Sequence, residues 1–512
     1  MQPLLQELEF QAINPGSCSA YRGWMDTPGK PLLASHAPAS GALIAQVALC
    51  RDAEYEILLE EAFHASLEWR ALPVSARGET LRAIGAAISE QRGALANLLA
   101  LETGKTWREA DAEVAELIEY AELAAGLALY LDESAMGGER VERGYREQWH
   151  PMGIIGVITN FDVPMAAWAK RAFPAAVCGN TAIWKPSPKA PLCAVALQRL
   201  CERVFAGAGQ PRAFSLFQPE NVTILSRFVR DSRLPMLAFS GSTFVGRQVA
   251  VKIADRLGHS LLEFPGSNAA IVDASADLDA AVRAILAGAV PMAGQRGTAL
   301  RRVIAHRDIG EQLASALIKG YKKLRIGDPL SPETDMGPLI DGLAVAAFQD
   351  ALEHVQQEGG DILWGGRVLE QGGNFVEPAL ARVENHWESV QRESPLPILY
   401  LITFETFEEA IALQNAARKP FSSTLFTGDM EHAACYLSDE CGDAESASIN
   451  ADFGHPEQVI GRNPHEHSFV ELRNTYMRRQ VGAIEWSGRP SQARAGESGV
   501  SRPAAGSRQT AA

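Results

Sequence analysis

The chain has 512 residues, 46% hydrophobic and 21% charged, which is enough apolar content for two or three domains with sizeable cores. Its 62 acidic residues outnumber 47 basic ones for a formal charge of −15, and no dense basic cluster offsets them, which argues against nucleic-acid or anionic-membrane partners. No uncharged apolar run reaches the roughly 20 residues of a membrane helix, and MQPLLQELEF at the start lacks the basic and apolar regions of a secretory leader, so the cytoplasm is the expected location.

Along the first 130 residues the apolar pattern is helical. After Asp52, read as an N-cap, Ile57, Leu58, Ala62, Phe63 and Leu67 recur at helical spacing, followed by Leu81, Ile84 and Ile88 and then Leu95, Leu98 and Leu99. From Gly153 short β-rich runs alternate with helix-length segments: GIIGVIT (153–159), TAIWKPS (181–187), AFSLFQ (213–218), MLAFSG (236–241) and LLEFPG (261–266). Strands spaced in this way predict a parallel, doubly wound sheet. A second α/β series follows residue 266, with NAAIVD (268–273), RRVIAH (301–306) and DILWGG (361–366) as its strands. The last segment, 487–512, is rich in Ser, Gly, Arg and Ala and has almost no large apolar residue, so it is expected to be disordered. The seven cysteines, 18, 50, 178, 193, 201, 435 and 441, form no C-x-x-C pair and are expected to be free thiols filling cores.

Two segments suggest a dinucleotide. In FSGSTFVG (239–246) a strand runs through a small-residue turn into a helix starting near Thr243, whose free N–H groups and positive dipole suit a pyrophosphate. Alone, such a segment reads more readily as an ordinary glycine-containing turn with no ligand. WKPSPKAPL (184–192) follows a strand and offers Lys185 and Ser187 as donors to ribose hydroxyls.

Taken with these, ETGKTWREADAEV (102–114), EQWHPMGIIGVIT (147–159), LEFPGSNAAIVDASADLDAAV (262–282), AGQRGTALRR (293–302), IGDPLSPETDMGPLI (326–340), ESPLPILYLITF (393–404) and FSSTLFT (421–427) occur in an order that resembles the aldehyde dehydrogenase superfamily over about residues 45 to 485. AGQR together with YMRRQVGAIEW (476–486) is most similar to the α-aminoadipic semialdehyde dehydrogenase, or antiquitin, branch. The resemblance implies an α/β fold with a Rossmann-type NAD(P) domain (1–128 and 149–263), a second, catalytic-type α/β domain (264–474) and a β bridging element (129–148 and 475–486). The bridge implies a homo-dimer or tetramer. Lys185 and Ser187 would serve the adenine ribose, Ser242 with the turn around Gly241 and Gly246 the pyrophosphate, and Glu393 the nicotinamide ribose. Pro188 stands where many NAD-preferring relatives place a glutamate, which leaves both NAD and NADP open.

The departures from the family pattern fall on the chemistry. That pattern implies a cysteine thiolate, an asparagine amide completing an oxyanion hole and a glutamate that activates water. Gly297 occupies the cysteine position and Asp162 the asparagine position, whereas Glu263 matches the base, with an ion-paired carboxylate as its plain structural alternative. The turn after Glu263 carries Phe264 and Pro265 in place of glycine-rich residues, and E-x-F-x-P reads Glu393, Ser394, Pro395, Leu396, Pro397. His455, His465 and His467 are irregularly spaced and read as loop residues rather than metal ligands.

Three readings follow. The first is a non-catalytic member that keeps the fold and NAD(P) binding and acts as a partner or regulatory subunit. The second is an NAD(P)-dependent oxidoreductase acting on a semialdehyde, hydrate or cyclic imine or hemiaminal, with Glu263 or Asp162 as base and no covalent thiohemiacetal. The third is a conventional enzyme rescued by Thr298, whose hydroxyl is a poor nucleophile near neutral pH.

Overall fold

The computed structural model describes residues 1–25, 29–137, 145–417, 422–438, 441, 446–451 and 469–483. Ile154–Ile158 and Thr181–Lys185 are buried at every position, because helices cover both faces of the sheet they belong to. In that seven-stranded sheet the spatial order is His259–Glu263, Met236–Ser240, Ile154–Ile158, Thr181–Lys185, Phe214–Phe217, Ser17–Ser19, Gly23–Trp24. The first five strands are parallel, Ser17–Ser19 pairs antiparallel with Phe214–Phe217, and Gly23–Trp24 pairs antiparallel with Ser17–Ser19. The parallel series starts at Ile154–Ile158, winds outward through Thr181–Lys185 and Phe214–Phe217, then returns to the other side of its starting strand with Met236–Ser240. The direction of winding reverses there, and the loops leaving the carboxyl ends of those strands border a crevice.

A second seven-stranded sheet runs Asp361–Trp364, Ala379–Arg382, Ile398–Phe404, Leu300–His306, Asn268–Val272, Ser422–Phe426, Ser446–Ile449, parallel except for its first strand. Tyr145–Pro151 pairs antiparallel with Met477–Ala483 in a separate two-stranded ribbon. Small residues set the helical layer: a Cβ added at Gly78 would sit 2.5 Å from Ala128 Cβ, and one at Gly85 2.7 Å from Ala121 Cβ, so the helices Val74–Glu90 and Trp107–Gly137 meet almost backbone to backbone. Among the described residues no helix is long and apolar enough to cross a membrane.

Three expectations are corrected. Arg51, not Asp52, is the N-cap of Asp52–Arg70, because Glu54 Oε2 accepts the Arg51 N–H at 3.0 Å and draws the helix one residue forward. That helix buries Tyr55, Leu58, Leu59, Ala62, Ala65 and Trp69, leaving Ile57 and Phe63 exposed on its flank. Cys435 and Cys441 are joined in a disulfide: the chain turns back after Met430–Tyr436, bringing their Cα atoms within 5.9 Å. The other five cysteines are free and buried. The 487–512 segment and the three loop histidines lie outside the described residues.

Candidate functional site

The loop after Ile154–Ile158 carries Asp162, and a buried ion pair sets its path. Lys105 Nζ donates to the Asp162 carbonyl oxygen at 2.6 Å and pairs with Glu113, both side chains being almost inaccessible. Glu113 Oε1 in turn accepts the N–H groups of Met165 (2.9 Å) and Ala166 (3.2 Å) at the start of Pro164–Val177, where a carboxylate satisfies donors that the helix leaves unpaired.

Facing it, the loop before Leu300–His306 contains Met292 and Ala293 at φ 51° and Gly294 at φ 66°. Left-handed geometry at two non-glycine residues costs energy and persists only where the surroundings enforce it. Here Met292 N donates to Glu109 Oε1 (2.6 Å), Gln295 Nε2 to Met292 O (2.9 Å), and Ile340 N to Gln295 Oε1 (2.9 Å). Arg301, pushed down to about 10 by burial, donates to the Gly294 and Arg296 carbonyls, each at 3.1 Å. Gly297 leaves this loop with its N–H pointing at Asp162 Oδ2, 3.0 Å away. A Cβ placed on Gly297 would meet Pro265 Cβ at 3.5 Å and Asp162 Oδ2 at 3.7 Å, ordinary contacts that leave room for a side chain.

Glu263 ends the edge strand of the first sheet. Its Oε1 accepts from Lys170 Nζ at 2.9 Å and from Arg171, both on Pro164–Val177. Burial pushes this carboxyl up, but the adjacent Arg171 and Lys170 charges outweigh it and hold the group at about 2. The next residue, Phe264, lays its ring on Gly246, where an added Cβ would fall 1.9 Å from Cε1.

Asp162, Glu263, Gly297, Gly241, Ser242 and Glu393 line one cavity of about 240 Å³. Ser242 caps Thr243–Asp255, accepting the Val245 N–H, while Glu393 Oε2 accepts the Thr243 N–H at 2.9 Å, so a carboxylate already rests on the end of the helix expected to meet a pyrophosphate. Gly246 is elsewhere: its N–H donates to Ser242 O within the helix, and its missing side chain admits the Phe264 ring. Lys185 and Ser187 also stand outside this cavity, buried at the carboxyl end of Thr181–Lys185. Burial alone pushes the Lys185 ammonium down to about 8, with no neighbouring charge contributing.

Sequence reasoning did not single out Lys170 and Arg171, the partners of Glu263, or Lys105 and Glu113, the frame of the Asp162 loop. It also passed over Glu116 and Arg296, which line the cavity with 3.9 Å between Oε1 and Nη2. Lys105, Glu113 and Arg296 lay inside quoted motifs, so the signal was present without a role attached. Among the described residues no group of three or more His, Cys, Asp or Glu is placed to hold a metal ion.

Two α/β sheets with a lined crevice at the winding reversal define a nucleotide-fold protein of the dehydrogenase type. The profile of the aldehyde dehydrogenase family matches residues 24–458, and the chain belongs to that family. It is 34% identical to alpha-aminoadipic semialdehyde dehydrogenase of Bos taurus over 94% of this chain and 90% of that one. It is also 34% identical to aldehyde dehydrogenase family 7 member B4 of Arabidopsis thaliana, over 94% and 96% of the two chains. These relatives place it with the antiquitin branch. A 1-pyrroline-5-carboxylate dehydrogenase from Thermus, solved with bound NAD, shares the fold with a TM-score of 0.84 and 24% identity, covering 95% of this chain and 96% of that one.

Proposed function

We propose that this protein is a nicotinamide-dinucleotide-binding member of the aldehyde dehydrogenase family that does not perform thiol-dependent aldehyde oxidation. One observation carries this reading: at Gly297 there is no side chain, and the backbone N–H that would receive a developing oxyanion is hydrogen-bonded to the Asp162 carboxylate. An ionised carboxylate donates no hydrogen bond and repels an oxyanion.

The residues present fit a dinucleotide. The buried Lys185 ammonium has no charged neighbour shifting it, which suits a polar ligand arriving at its strand end, and the Thr243–Asp255 terminus already accepts an anion. Lys185 and Ser187 would hold the adenine ribose, Ser242 and the Gly241 turn the pyrophosphate, and Glu393 the nicotinamide ribose after leaving Thr243. When bound, the dinucleotide supplies a hydride acceptor or donor. Pro188 presents no carboxylate against a 2′-phosphate, so the reading takes in NADP as well as NAD. A carboxylate held at about 2 is a weak base, so the Glu263 ion pairs support this reading over one in which Glu263 activates water or a hydrate. The ribbon of Tyr145–Pro151 and Met477–Ala483 suits a role in joining copies of the chain into a dimer or tetramer, which sedimentation showing only monomer would exclude.

Titration of NADH and NADPH, followed by nicotinamide fluorescence, tests the central claim together with an assay of aldehyde-dependent NADH formation. Saturable binding without aldehyde turnover is the expected result. Absence of binding by the folded protein, or turnover at an ordinary dehydrogenase rate, would overturn it.

A further inference from the structure

We infer that Glu393 is a built-in competitor for the helix end at Thr243: in the ligand-free chain its carboxylate takes the place of an incoming phosphate, and a dinucleotide binds by displacing it. The inference rests on the dinucleotide reading above and adds a restraint on that same site. Glu393 Oε2 accepts the Thr243 N–H at 2.9 Å across 150 residues, reaching from the stretch between Glu388–Gln391 and Ile398–Phe404 to the first turn of Thr243–Asp255. A carboxylate and a phosphate are both anionic acceptors, so they compete for the same amide and the same dipole. A separate observation points to an anion in this crevice. Lys185, 8% exposed at the carboxyl end of a strand two places along the same sheet from Met236–Ser240, carries a charge that no neighbouring charge compensates.

The backbone that carries Glu393 is fixed on both sides, whereas the carboxylate is lightly held. Arg392 N donates to Glu388 O at 2.8 Å before it. After it, Pro395 and Pro397 set the main chain, Leu396 N donates to Ser394 O at 2.9 Å and Arg301 donates to Leu396 O at 3.4 Å. Glu393 itself is exposed, and the Thr243 N–H is the one hydrogen bond its carboxylate makes among the described residues. Glu393 and Pro395 line both the cavity of about 240 Å³ and a second one of about 480 Å³. The carboxylate therefore has open space to turn into, and rotation of the side chain releases Thr243 without moving the main chain. Release breaks one charge-assisted hydrogen bond in a solvent-accessible setting, a competition worth about tenfold in affinity.

The test is calorimetric titration of the full chain and of Glu393→Gln with ADP, which has the adenine ribose and the pyrophosphate but no nicotinamide ribose, and with NADH. Glu393→Gln is expected to bind ADP about tenfold more tightly than the parent, because a neutral amide competes less well than a carboxylate. The gain with NADH should be smaller, since that ligand also loses its ribose contact. ADP binding that is equal or weaker in the variant overturns the inference and leaves the dinucleotide reading standing. Tighter ADP binding without NADH binding supports the competitor and counts against the dinucleotide reading alone. Absence of ADP binding by both folded proteins overturns the two together. If circular dichroism shows Glu393→Gln unfolded, Glu393→Ala is titrated in its place. Hydrogen exchange of the Thr243 amide without any ligand gives a second readout: faster exchange in the variant supports the contact, and unchanged exchange overturns it.

Discussion

Asp162 Oδ2 and the Gly297 backbone nitrogen lie 3.0 Å apart, and their hydrogen bond ties the loop that leaves the first sheet to the loop that enters the second. The two residues therefore act as one unit. Changing either alone leaves the other in a setting built for its partner.

Gly297→Cys has room for its side chain, with Cβ contacts of 3.5 and 3.7 Å, but the new thiol would sit beside a carboxylate that raises its pKa and repels the oxyanion its attack would generate. The single variant is expected to show no aldehyde-dependent NADH formation above the parent. Gly297→Cys with Asp162→Asn should exceed it by about 10²-fold or more, the usual worth of one oxyanion-hole donor. Initial rates with a short aliphatic aldehyde check this, and a fast single variant would refute the proposed obstacle.

The Glu263 cluster predicts an acid-sensitive contribution to stability. The carboxyl titrates at about 2 in the folded chain and near roughly 4.3 when unfolded. The unfolded state therefore binds more protons in that interval, and the stabilisation, present in full above it, is lost as pH falls through it. Urea midpoints of the parent and Glu263→Gln should differ most above pH 5 and converge toward pH 3. A difference independent of pH would contradict the ion pairing.

Lys185 has the same slope with pH, but as a cost relieved rather than a stabilisation gained. Its folded value of about 8 lies below the ordinary lysine value of roughly 10.4, so the unfolded chain holds more protons between the two and this residue's effect on stability improves as pH rises. The charge that would meet the dinucleotide disappears over the same range. NADH affinity is expected to fall above pH 8 in the parent, and to be about tenfold weaker but flatter with pH in Lys185→Met, the scale of one charged hydrogen bond. Fluorescence titrations at pH 7 and 9 check both.

Gly246→Ala places a methyl 1.9 Å from the Phe264 ring, an overpacking expected to cost about 1–3 kcal/mol. Phe264→Leu in the same chain should recover most of that loss. Thermal unfolding of the single and double variants measures it, and a neutral Gly246→Ala would show that the ring has another place to go.

The parallel sheets were legible because wholly buried strands such as Ile154–Ile158 read as continuous apolar runs between helix-length segments. Asp162, Glu263, Gly297 and Glu393 were legible as positions in an ordered set of motifs, and the cavity gathers all four. What surrounds them was not. Glu263 meets Lys170 and Arg171 across 93 and 92 residues, and Glu393 meets Thr243 across 150, pairings made by sheet topology rather than by local pattern. Gly246 looked like a phosphate turn because its sequence neighbours are small, but it lies inside a helix with its N–H already engaged. The disulfide escaped because Cys435 and Cys441 are six apart, outside the short spacing that was sought.

The Lys105 and Glu113 pair grips main-chain atoms, the carbonyl of Asp162 and the amides of Met165 and Ala166, and among the described residues it hydrogen-bonds none of the side chains that face the cavity. The loop is thus a socket whose mounting is independent of its fitting. A different residue at position 162 inherits the same coordinates, so this pocket can be rewritten from repelling to receiving a carbonyl oxygen without rebuilding the wall that holds it.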